Sequence, residues 1–299
     1  MTQTIKHIGA YVRLARPHQH LKNGFVFIPI IFGYKLTDVQ ALICGWWAFV
    51  AFSLAASSVY AFNDLRDAES DRQHPNKKNR PVASGEIGST GAEIFSLVLL
   101  LVSVILSYFL LNKLFLLILM AYLFLNLAYS TWLKRLALVD VICIATGFVL
   151  RVLAGGAACG IWISNWLILM TFLLALFLAF AKRRDDLVLR VDRRAIRKSL
   201  GDYNLEFVDL SMVLTAGVII VAYIMYSISA DVVAKHGTDK LYVSSIWVIL
   251  GILRYFQISF VLKKSGSPAR VLIKDVFLQV VILGWLATIL VVLYVVGHS

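Results

Sequence analysis

Four oxygen-bearing side chains stand together after an apolar stretch of the sequence: Asn63, Asp64, Asp67 and Asp71. On a helix the three carboxylates fall at about 0°, −60° and −20° around the axis, so they share one face over two turns. Like charges at this spacing repel, and a divalent cation removes the repulsion. Carboxylate and amide oxygens suit Mg²⁺, which prefers one or two carboxylates together with the phosphates of a substrate. The spacing predicts a Mg²⁺ site; a solvated acidic turn paired with neighbouring arginines is the alternative.

A basic loop is predicted directly after these acids. Pro75 and Pro81 break the helix, so the chain around them brings cations back over the carboxylates. Arg72, Lys78 and Arg80 are the predicted phosphate-binding side chains of this stretch. Acids for a metal followed by bases for phosphate predict a magnesium–pyrophosphate site. In the alternative, the bases only mark the cytoplasmic side of a membrane, which leaves the acids unexplained.

A second polar group is embedded in an apolar segment. On a helix over 137–156, Asp140, Gly147 and Arg151 fall at about 0°, −20° and 20°, on one face. Ionisable residues inside a spanning segment usually face a cavity or a partner. We therefore predict that Asp140 and Arg151 face a polar cavity and that Gly147 allows close approach. For Asp140, a position at the membrane interface is the alternative.

Membrane helices must position these groups. The 299 residues are 60% hydrophobic and only 15% charged, with a mean hydropathy of +0.81. Apolar runs of about 20 residues span a bilayer as helices, and these runs do not alternate as barrel strands do. We predict an all-α integral membrane protein that forms one domain over 1–299. Its nine predicted transmembrane helices lie at 23–36, 42–62, 92–111, 114–130, 137–156, 162–181, 208–229, 241–262 and 273–296.

The positive charge is distributed unevenly between the two sides of the membrane. Of the 29 Lys and Arg residues, 23 lie in the N-terminal stretch and alternate connections, and four lie on the opposite side. This distribution predicts a cytoplasmic N-terminus and working face in the plasma (inner) membrane. Orientation in the membrane therefore explains much of the net charge of +12, and we predict no nucleic-acid partner. The three cysteines have no metal-type spacing.

The first acidic stretch resembles a known family signature. Asn63 to Arg72 reads N-D-x-x-D-x-x-x-D-R, and His74 to Gly85 reads H-P-x-K-x-x-R-P-x-A-S-G. This pattern looks like the first motif of the UbiA-type intramembrane prenyltransferase superfamily. The resemblance implies nine transmembrane helices around a central cavity, with two metal-binding acidic motifs after helices 2 and 6. The active site itself is predicted on the cytoplasmic face from the distribution of Lys and Arg.

The second motif departs from the aromatic-prenyltransferase pattern. Those enzymes resemble one another in having spaced aspartates after helix 6, whereas this chain has K-R-R-D-D-L over 182–187. Other stretches resemble the decaprenyl-phosphate phosphoribosyltransferase branch of the superfamily. They are R-P-H-Q-H-L-K-N at 16–23, Y-S-T-W-L-K at 129–134, the run at 139–158, and R-K-S-L-G-D-Y-N-L-E-F at 197–207.

The branch resemblance implies a specific reaction. The donor would be 5-phosphoribosyl 1-diphosphate and the acceptor a polyprenyl phosphate. The products would be polyprenyl-phosphoryl-5-phosphoribose and pyrophosphate, for arabinofuranose-type cell-wall or surface polysaccharides. Two anionic substrates repel by about 4 kcal/mol per pair of unit charges 4 Å apart at an effective dielectric near 20. Extra bases in the second motif are what such a substrate pair predicts.

The spacing of the acids, the charges and the family resemblance together predict roles for individual residues. Asn63, Asp64, Asp67 and Asp71 would hold Mg²⁺, and Asp67, Asp71, Arg151 and Asp186 would be catalytic. The substrate-binding residues would be Lys22, Asn23, Arg72, Lys78, Arg80, Tyr129, Lys134, Asp140, Arg151, Lys182 and Arg183. For Lys22, Asn23, Tyr129 and Lys134, an interfacial anchor is the alternative.

Three other functions are left open by the sequence. An aromatic prenyltransferase of the same fold would use a polyprenyl diphosphate and a hydroxybenzoate-type acceptor. A transporter would place acids along midplane helices, whereas here they crowd one face. A scaffold that binds anionic lipid would leave the stacked aspartates unexplained. The oligomeric state, including a homo-oligomer, is open as well.

Overall fold

All the elements of the structure are helical. The computed structural model describes residues 2–73, 77–188, 202–262 and 268–294, and there is no strand within these ranges. The predicted all-α class is confirmed. Short 3-10 segments lie at Pro17–Phe27, Leu133–Arg135 and Lys240–Ser244, and a π-helical turn, Gln257–Val261, continues helix α11. The α-helices α1 to α13 are Thr2–Ala15, Ile28–Phe32, Val39–Arg66, Ala68–Arg72, Ser89–Leu110, Lys113–Thr131, Val139–Cys159, Asn165–Val188, Leu205–Ile228, Ala230–His236, Ser245–Phe256, Pro268–Lys274 and Val276–Tyr294.

Seven helical runs in the described ranges are long and apolar enough to cross a membrane. They are α3, α5, α6, α7, α8, α9 and the run Lys240–Val261. A shorter apolar helix, Val276–Val292, lies within α13. The predicted count of nine spanning helices, the central cavity and the cytoplasmic working face stay predictions.

The first predicted spanning helix, over 23–36, is not one continuous α-helix. The chain forms the 3-10 segment Pro17–Phe27 and then the five-residue helix α2. Pro29 lacks the N–H that a continuous α-helix would donate to the carbonyl of Phe25, so α2 begins anew there. Hydropathy marked this stretch as apolar but carried no information on the type of helix.

The chain divides into two compact units, each with its own core. The N-terminal unit comprises Met1–Lys134 and Thr146–Ile163, and the C-terminal unit comprises Arg135–Ala145 and Ser164–Ser299. In the C-terminal unit, Phe177 packs edge-on against two rings of α11, Tyr255 at 5.5 Å and Phe256 at 5.6 Å. The single membrane domain over 1–299 stays a prediction.

Small residues allow close packing in the N-terminal unit. Five alanines of α3 are fully buried, and Ser103 of α5 donates a hydrogen bond of 2.7 Å to the Ala51 carbonyl oxygen. Gly155 of α7 packs directly against the 3-10 segment, since a Cβ placed on it would lie 2.0 Å from the carbonyl oxygen of Val26. The backbone approach at this position therefore admits only glycine.

Replacing Gly155 with Ala is expected to destabilise the protein by about 3 kcal/mol, because the new methyl group meets backbone that cannot rotate away. Thermal unfolding of the purified protein measures the effect. Gly217→Ala is the matched control, because a Cβ on this helical glycine meets nothing within 4 Å. Equal melting temperatures for the two variants would contradict the close approach of Gly155 to Val26.

Candidate active site

The first acidic motif lies where α3 ends and α4 begins, in the N-terminal unit. Asp67 stands between the two helices: its N–H bonds to the Asn63 carbonyl at 2.9 Å, and its own carbonyl accepts the Asp71 N–H at 2.8 Å. Helical hydrogen bonding thus continues across the break. A single guanidinium reaches two of the acids, since Arg80 Nη1 lies 3.1 Å from Asp64 Oδ1 and 2.5 Å from Asp71 Oδ2. The loop therefore does return a cation over the carboxylates.

Two further bases balance the charge of this motif. Arg16 Nη2 donates to Asp64 Oδ1, and Lys134 Nζ lies 3.1 Å and 3.4 Å from the two carboxylate oxygens of Asp67. Asp64 and Asp71 are nearly fully buried, whereas the Asp67 side chain is 37% exposed. The spacing of the acids predicts a divalent cation that relieves the repulsion between the three carboxylates, and in this structure basic side chains relieve it. Asp67 is the most accessible of the three carboxylates.

The donor chemistry of this motif fits Mg²⁺. The side chains that could bind a metal here all offer carboxylate or amide oxygens, and Asn63 Oδ1 is buried with no hydrogen-bond partner in the described part of the chain. The carboxylates are each held by bases, including Lys77 at 3.9 Å from Asp71. Within the described ranges, no three His, Cys, Asp or Glu side chains are placed to hold a metal together. Metal binding by these residues stays a prediction.

Arg16 was not predicted as a site residue. Its backbone is left-handed, with φ 53° and ψ 57°, directly before Pro17. Such a conformation is costly for a residue other than glycine and persists where the surroundings hold it. Its guanidinium is fixed by Asp64 and by the Tyr60 ring, 5.4 Å from the ring centroid. The signal in the sequence was an arginine before a proline, which says nothing about a partner 48 residues away.

The 3-10 segment Pro17–Phe27 is joined to α3 by two buried or half-buried polar contacts. His20 Nε2 lies 2.9 Å from Ser57 Oγ, and Asn23 Nδ2 donates to Ser53 Oγ at 3.0 Å. Because Ser57 Oγ donates its own hydrogen to the Ala15 carbonyl, His20 must be the donor to Ser57. Asn23, predicted as a substrate contact, is fully buried at 0% exposure.

The folded protein is expected to become less stable as the pH falls and His20 becomes protonated. Burial, with the neighbouring His18 adding to it, lowers the pKa of His20 despite an opposing backbone hydrogen bond. A histidine whose pKa is lowered by folding contributes fully to the free energy of unfolding above its unfolded pKa, about 6.5. This contribution is lost as the pH falls through the pKa of the folded state. Melting temperatures between about pH 5 and 8 should show this loss, and His20→Gln should reduce it. An identical profile in the variant would contradict the role of His20.

Arg151 is a buried cation held by neutral groups in the N-terminal unit. Its guanidinium donates to Asn23 Oδ1 at 2.9 Å, to the Gly147 carbonyl at 2.7 Å and to Tyr122 Oη at 3.0 Å. It is 5% exposed, and no carboxylate of the described chain forms an ion pair with it. An unpaired charge in a membrane helix costs several kcal/mol. This arrangement favours an anion as the missing counter-charge. Sequence reasoning did not find Tyr122.

Asp140 has a different partner from the one that its helix face suggested. In the C-terminal unit its carboxylate accepts Arg183 Nε at 2.7 Å and Tyr203 Oη at 2.8 Å, and the Arg183–Asp140 pair is fully buried. Tyr203 Oη also accepts the Leu138 N–H at 2.7 Å. Burial and the Asp140 hydrogen bond raise the pKa of Tyr203 well above its ordinary value. Asp140 is therefore paired within the protein. Its substrate contact and the alternative position at the membrane interface both stay predictions.

The three bases of the second motif differ in their surroundings. Lys182 is exposed, and Arg183 also contacts Asp186 at 3.0 Å. Arg184 is buried against Asp209 at 2.8 Å and the Ser259 carbonyl at 2.7 Å. Acids therefore already hold both arginines, and Lys182 is the most accessible base. Binding of substrate by Lys182 and Arg183, and catalysis by Asp186, stay predictions.

The remaining predicted contacts lie near the surface of the N-terminal unit. Lys22 and Tyr129 are half-buried, and Lys78 is exposed. Arg72 donates through Nε to the Ala83 carbonyl at 3.2 Å, which ties α4 to the loop that follows it. His74, and residues 197–201 of the stretch quoted above, lie outside the described residues.

The fold and this site define a multi-pass membrane protein with an acidic motif held by bases at the end of a long apolar helix. The chain belongs to the UbiA prenyltransferase family, whose sequence profile matches residues 26–281. The family resemblance of the first motif is confirmed.

The chain is similar over nearly its whole length to named enzymes of this family. It is 32% identical to the decaprenyl-phosphate phosphoribosyltransferase of Mycolicibacterium smegmatis, over 96% of this chain and 93% of that protein. It is 33% identical to the enzyme of the same name from Mycobacterium tuberculosis, over 94% and 93%. The predicted branch of the family is confirmed.

Solved structures share the fold. A UbiA homolog from Archaeoglobus fulgidus, bound to DMAPP and Mg²⁺, has a TM-score of 0.71 at 22% identity and covers 95% of this chain and 99% of its own. A digeranylgeranylglyceryl phosphate synthase structure has a TM-score of 0.65 at 18% identity, over 95% and 98%. At these identities the similarity establishes the fold alone.

Proposed function

We propose that the protein transfers a 5-phosphoribosyl group from 5-phosphoribosyl 1-diphosphate to a polyprenyl phosphate. The products are polyprenyl-phosphoryl-5-phosphoribose and pyrophosphate. The observation that carries this proposal is the similarity, over more than nine-tenths of both chains, to two decaprenyl-phosphate phosphoribosyltransferases. The bases around the first acidic motif support it, because two phosphorylated substrates must be brought together.

The first motif provides the charges that a diphosphate needs. Asn63, Asp64, Asp67 and Asp71 would hold Mg²⁺, which would supply positive charge to the departing pyrophosphate. Arg80 and Lys134 contact the carboxylates in this structure, and their N–H groups can also donate hydrogen bonds to phosphate oxygens. In the same unit, Arg16, Lys22, Arg72, Lys78 and Tyr129 are further proposed contacts of the ribosyl donor. In the C-terminal unit, Lys182 and Arg183 are proposed substrate contacts.

The reaction exchanges one bond at the anomeric carbon of the ribose. An oxygen of the lipid phosphate forms a bond to this carbon while the bond to the diphosphate breaks, and the electron pair leaves with pyrophosphate. The attacking phosphate is already anionic, so the protein need not supply a general base. Its contribution is to position the two substrates and to stabilise the developing charges.

We propose that this chemistry takes place at the cytoplasmic face of the plasma membrane. The uneven distribution of Lys and Arg supports it. A water-soluble donor then reaches the motif from the cytoplasm, and the lipid acceptor reaches it from the bilayer. A product of this kind suits the synthesis of cell-wall or surface polysaccharides.

A choice between substrate pairs tests the proposed function. The purified protein receives ribosyl-labelled 5-phosphoribosyl 1-diphosphate with a polyprenyl phosphate, or a polyprenyl diphosphate with ring-labelled hydroxybenzoate. Thin-layer chromatography follows the lipid products. We expect labelled lipid from the first pair alone. Product from the second pair alone would establish an aromatic prenyltransferase, which is the alternative function.

A further inference from the structure

We infer that the space beside Arg151 and Gly147 in the N-terminal unit binds a phosphate monoester, separately from the diphosphate at the first acidic motif. The inference deepens the proposed function, from which the class of ligand follows. Both proposed substrates carry a monoester: the donor has one at its 5-position, and the lipid acceptor ends in one.

The guanidinium of Arg151 retains donors for an anion. It carries five N–H groups, and three hydrogen bonds join it to Asn23, Tyr122 and the Gly147 carbonyl. All three acceptors are neutral, so its positive charge is not cancelled within the described chain. Arg80 and Arg183, by contrast, contact carboxylates directly. Guanidinium pairs well with phosphate, through two parallel hydrogen bonds.

Gly147 leaves room beside this guanidinium. It is buried in α7, yet a Cβ built on it would meet a single neighbouring group within 4 Å, Arg151 Nη1 at 3.5 Å. Gly155, two turns further along the same helix, would meet backbone at 2.0 Å. The absence of a side chain at 147 is thus not required for packing. It keeps space open next to the unpaired cation.

The space beside Arg151 and the first acidic motif lie at different levels of α3. Asn23 joins Arg151 to Ser53, and Ser53 precedes Asp64 by eleven residues on α3. At about 1.5 Å per residue, the rise along α3 from Ser53 to Asp64 is about 16 Å. A single phosphate group does not reach from one of these two positions on α3 to the other. We therefore assign different anionic groups to the Arg151 space and to the first motif.

The immediate surroundings of the guanidinium are aromatic. The centroids of the Tyr122, Phe52 and Phe148 rings lie 4.8, 5.3 and 5.4 Å from Arg151 Cζ. Rings at these distances stabilise a cation without neutralising it and keep water away. A phosphate attached to a larger organic group, either a prenyl chain or a ribose, suits such a place.

Direct binding tests this site without relying on transfer. The full chain, in lipid nanodiscs, is titrated with farnesyl phosphate and, separately, with ribose 5-phosphate. The variants are Arg151→Gln, Gly147→Ala and the control Gly217→Ala, a helical glycine with nothing within 4 Å of its Cβ position. We expect Arg151→Gln and Gly147→Ala each to weaken binding of the same ligand by about tenfold, with Gly217→Ala unchanged.

The ligand affected identifies the phosphate. Weaker binding of farnesyl phosphate alone assigns the site to the acceptor, and weaker binding of ribose 5-phosphate alone assigns it to the 5-phosphate of the donor. If both variants bind both ligands like the wild type, the site is overturned. If Arg151→Gln fails to fold, Gly147→Ala decides, because its methyl group makes only an ordinary contact. A protein that binds a monoester here but makes no ribosylated lipid contradicts the proposed function and not the site.

Discussion

The Asp67→Asn variant should transfer phosphoribosyl groups about a hundredfold more slowly than the wild type, even at saturating Mg²⁺. Asp67 is the most accessible carboxylate of the first motif, with 37% of its side chain exposed and Lys134 3.1 Å away. Asparagine keeps the shape and removes the charge that would hold a metal and orient Lys134. The value of kcat/KM for the ribosyl donor, measured against Mg²⁺ concentration, reports the change.

Glu69→Gln is the matched control for this prediction. Glu69 is an exposed acid of α4, two residues from Asp67, and belongs to no proposed contact. Its loss of charge should leave transfer unchanged. A wild-type rate in Asp67→Asn would remove the metal assignment of this residue. Equal losses in both variants would indicate that only the overall negative charge of the turn matters.

Removal of the Asp140 carboxylate is expected to have the largest effect on stability. Asp140→Ala leaves the fully buried Arg183 without its main counter-ion and Tyr203 without its acceptor. Breaking a buried pair by removing one partner costs about 3–5 kcal/mol, because a desolvated charge remains. Denaturant unfolding of the purified protein should show a loss of this size.

The double variant Asp140→Ala/Arg183→Met separates pairing from packing. It should be more stable than Asp140→Ala alone, since the uncompensated cation is gone. Asp186→Asn, which removes the more exposed partner of Arg183, should cost less than about 1 kcal/mol. Loss of transfer in this last variant would then report the predicted catalytic role of Asp186. A double variant less stable than Asp140→Ala would contradict the account of Arg183.

Features set by local periodicity could be predicted from the sequence. Long apolar runs gave the membrane helices, because about 20 apolar residues are needed to cross a bilayer. The 3.6-residue helical repeat predicted Asp64 and Asp71 on one face, and in the structure Arg80 contacts both carboxylates. The prolines predicted the loop that returns Arg80 to these acids.

Features set by contacts between distant residues could not be predicted. Arg16 meets Asp64 across 48 residues, and Arg183 meets Asp140 across 43. The shared face of Asp140 and Arg151 suggested a common environment, yet each has its own partners. Helical periodicity fixes direction around an axis, and the neighbours in that direction come from tertiary packing. The break at Pro29 was missed because hydropathy does not distinguish a 3-10 segment from an α-helix.

Crystals of the protein grown with 5-phosphoribosyl 1-diphosphate and Mn²⁺ test the central claim most directly. Mn²⁺ replaces Mg²⁺ at oxygen ligands and scatters anomalously. The account predicts an anomalous peak about 2.0–2.3 Å from carboxylate oxygens of Asp67 or Asp71, with the donor's diphosphate on the same ion. A donor bound away from these acids, or a metal bound elsewhere in the chain, would contradict it.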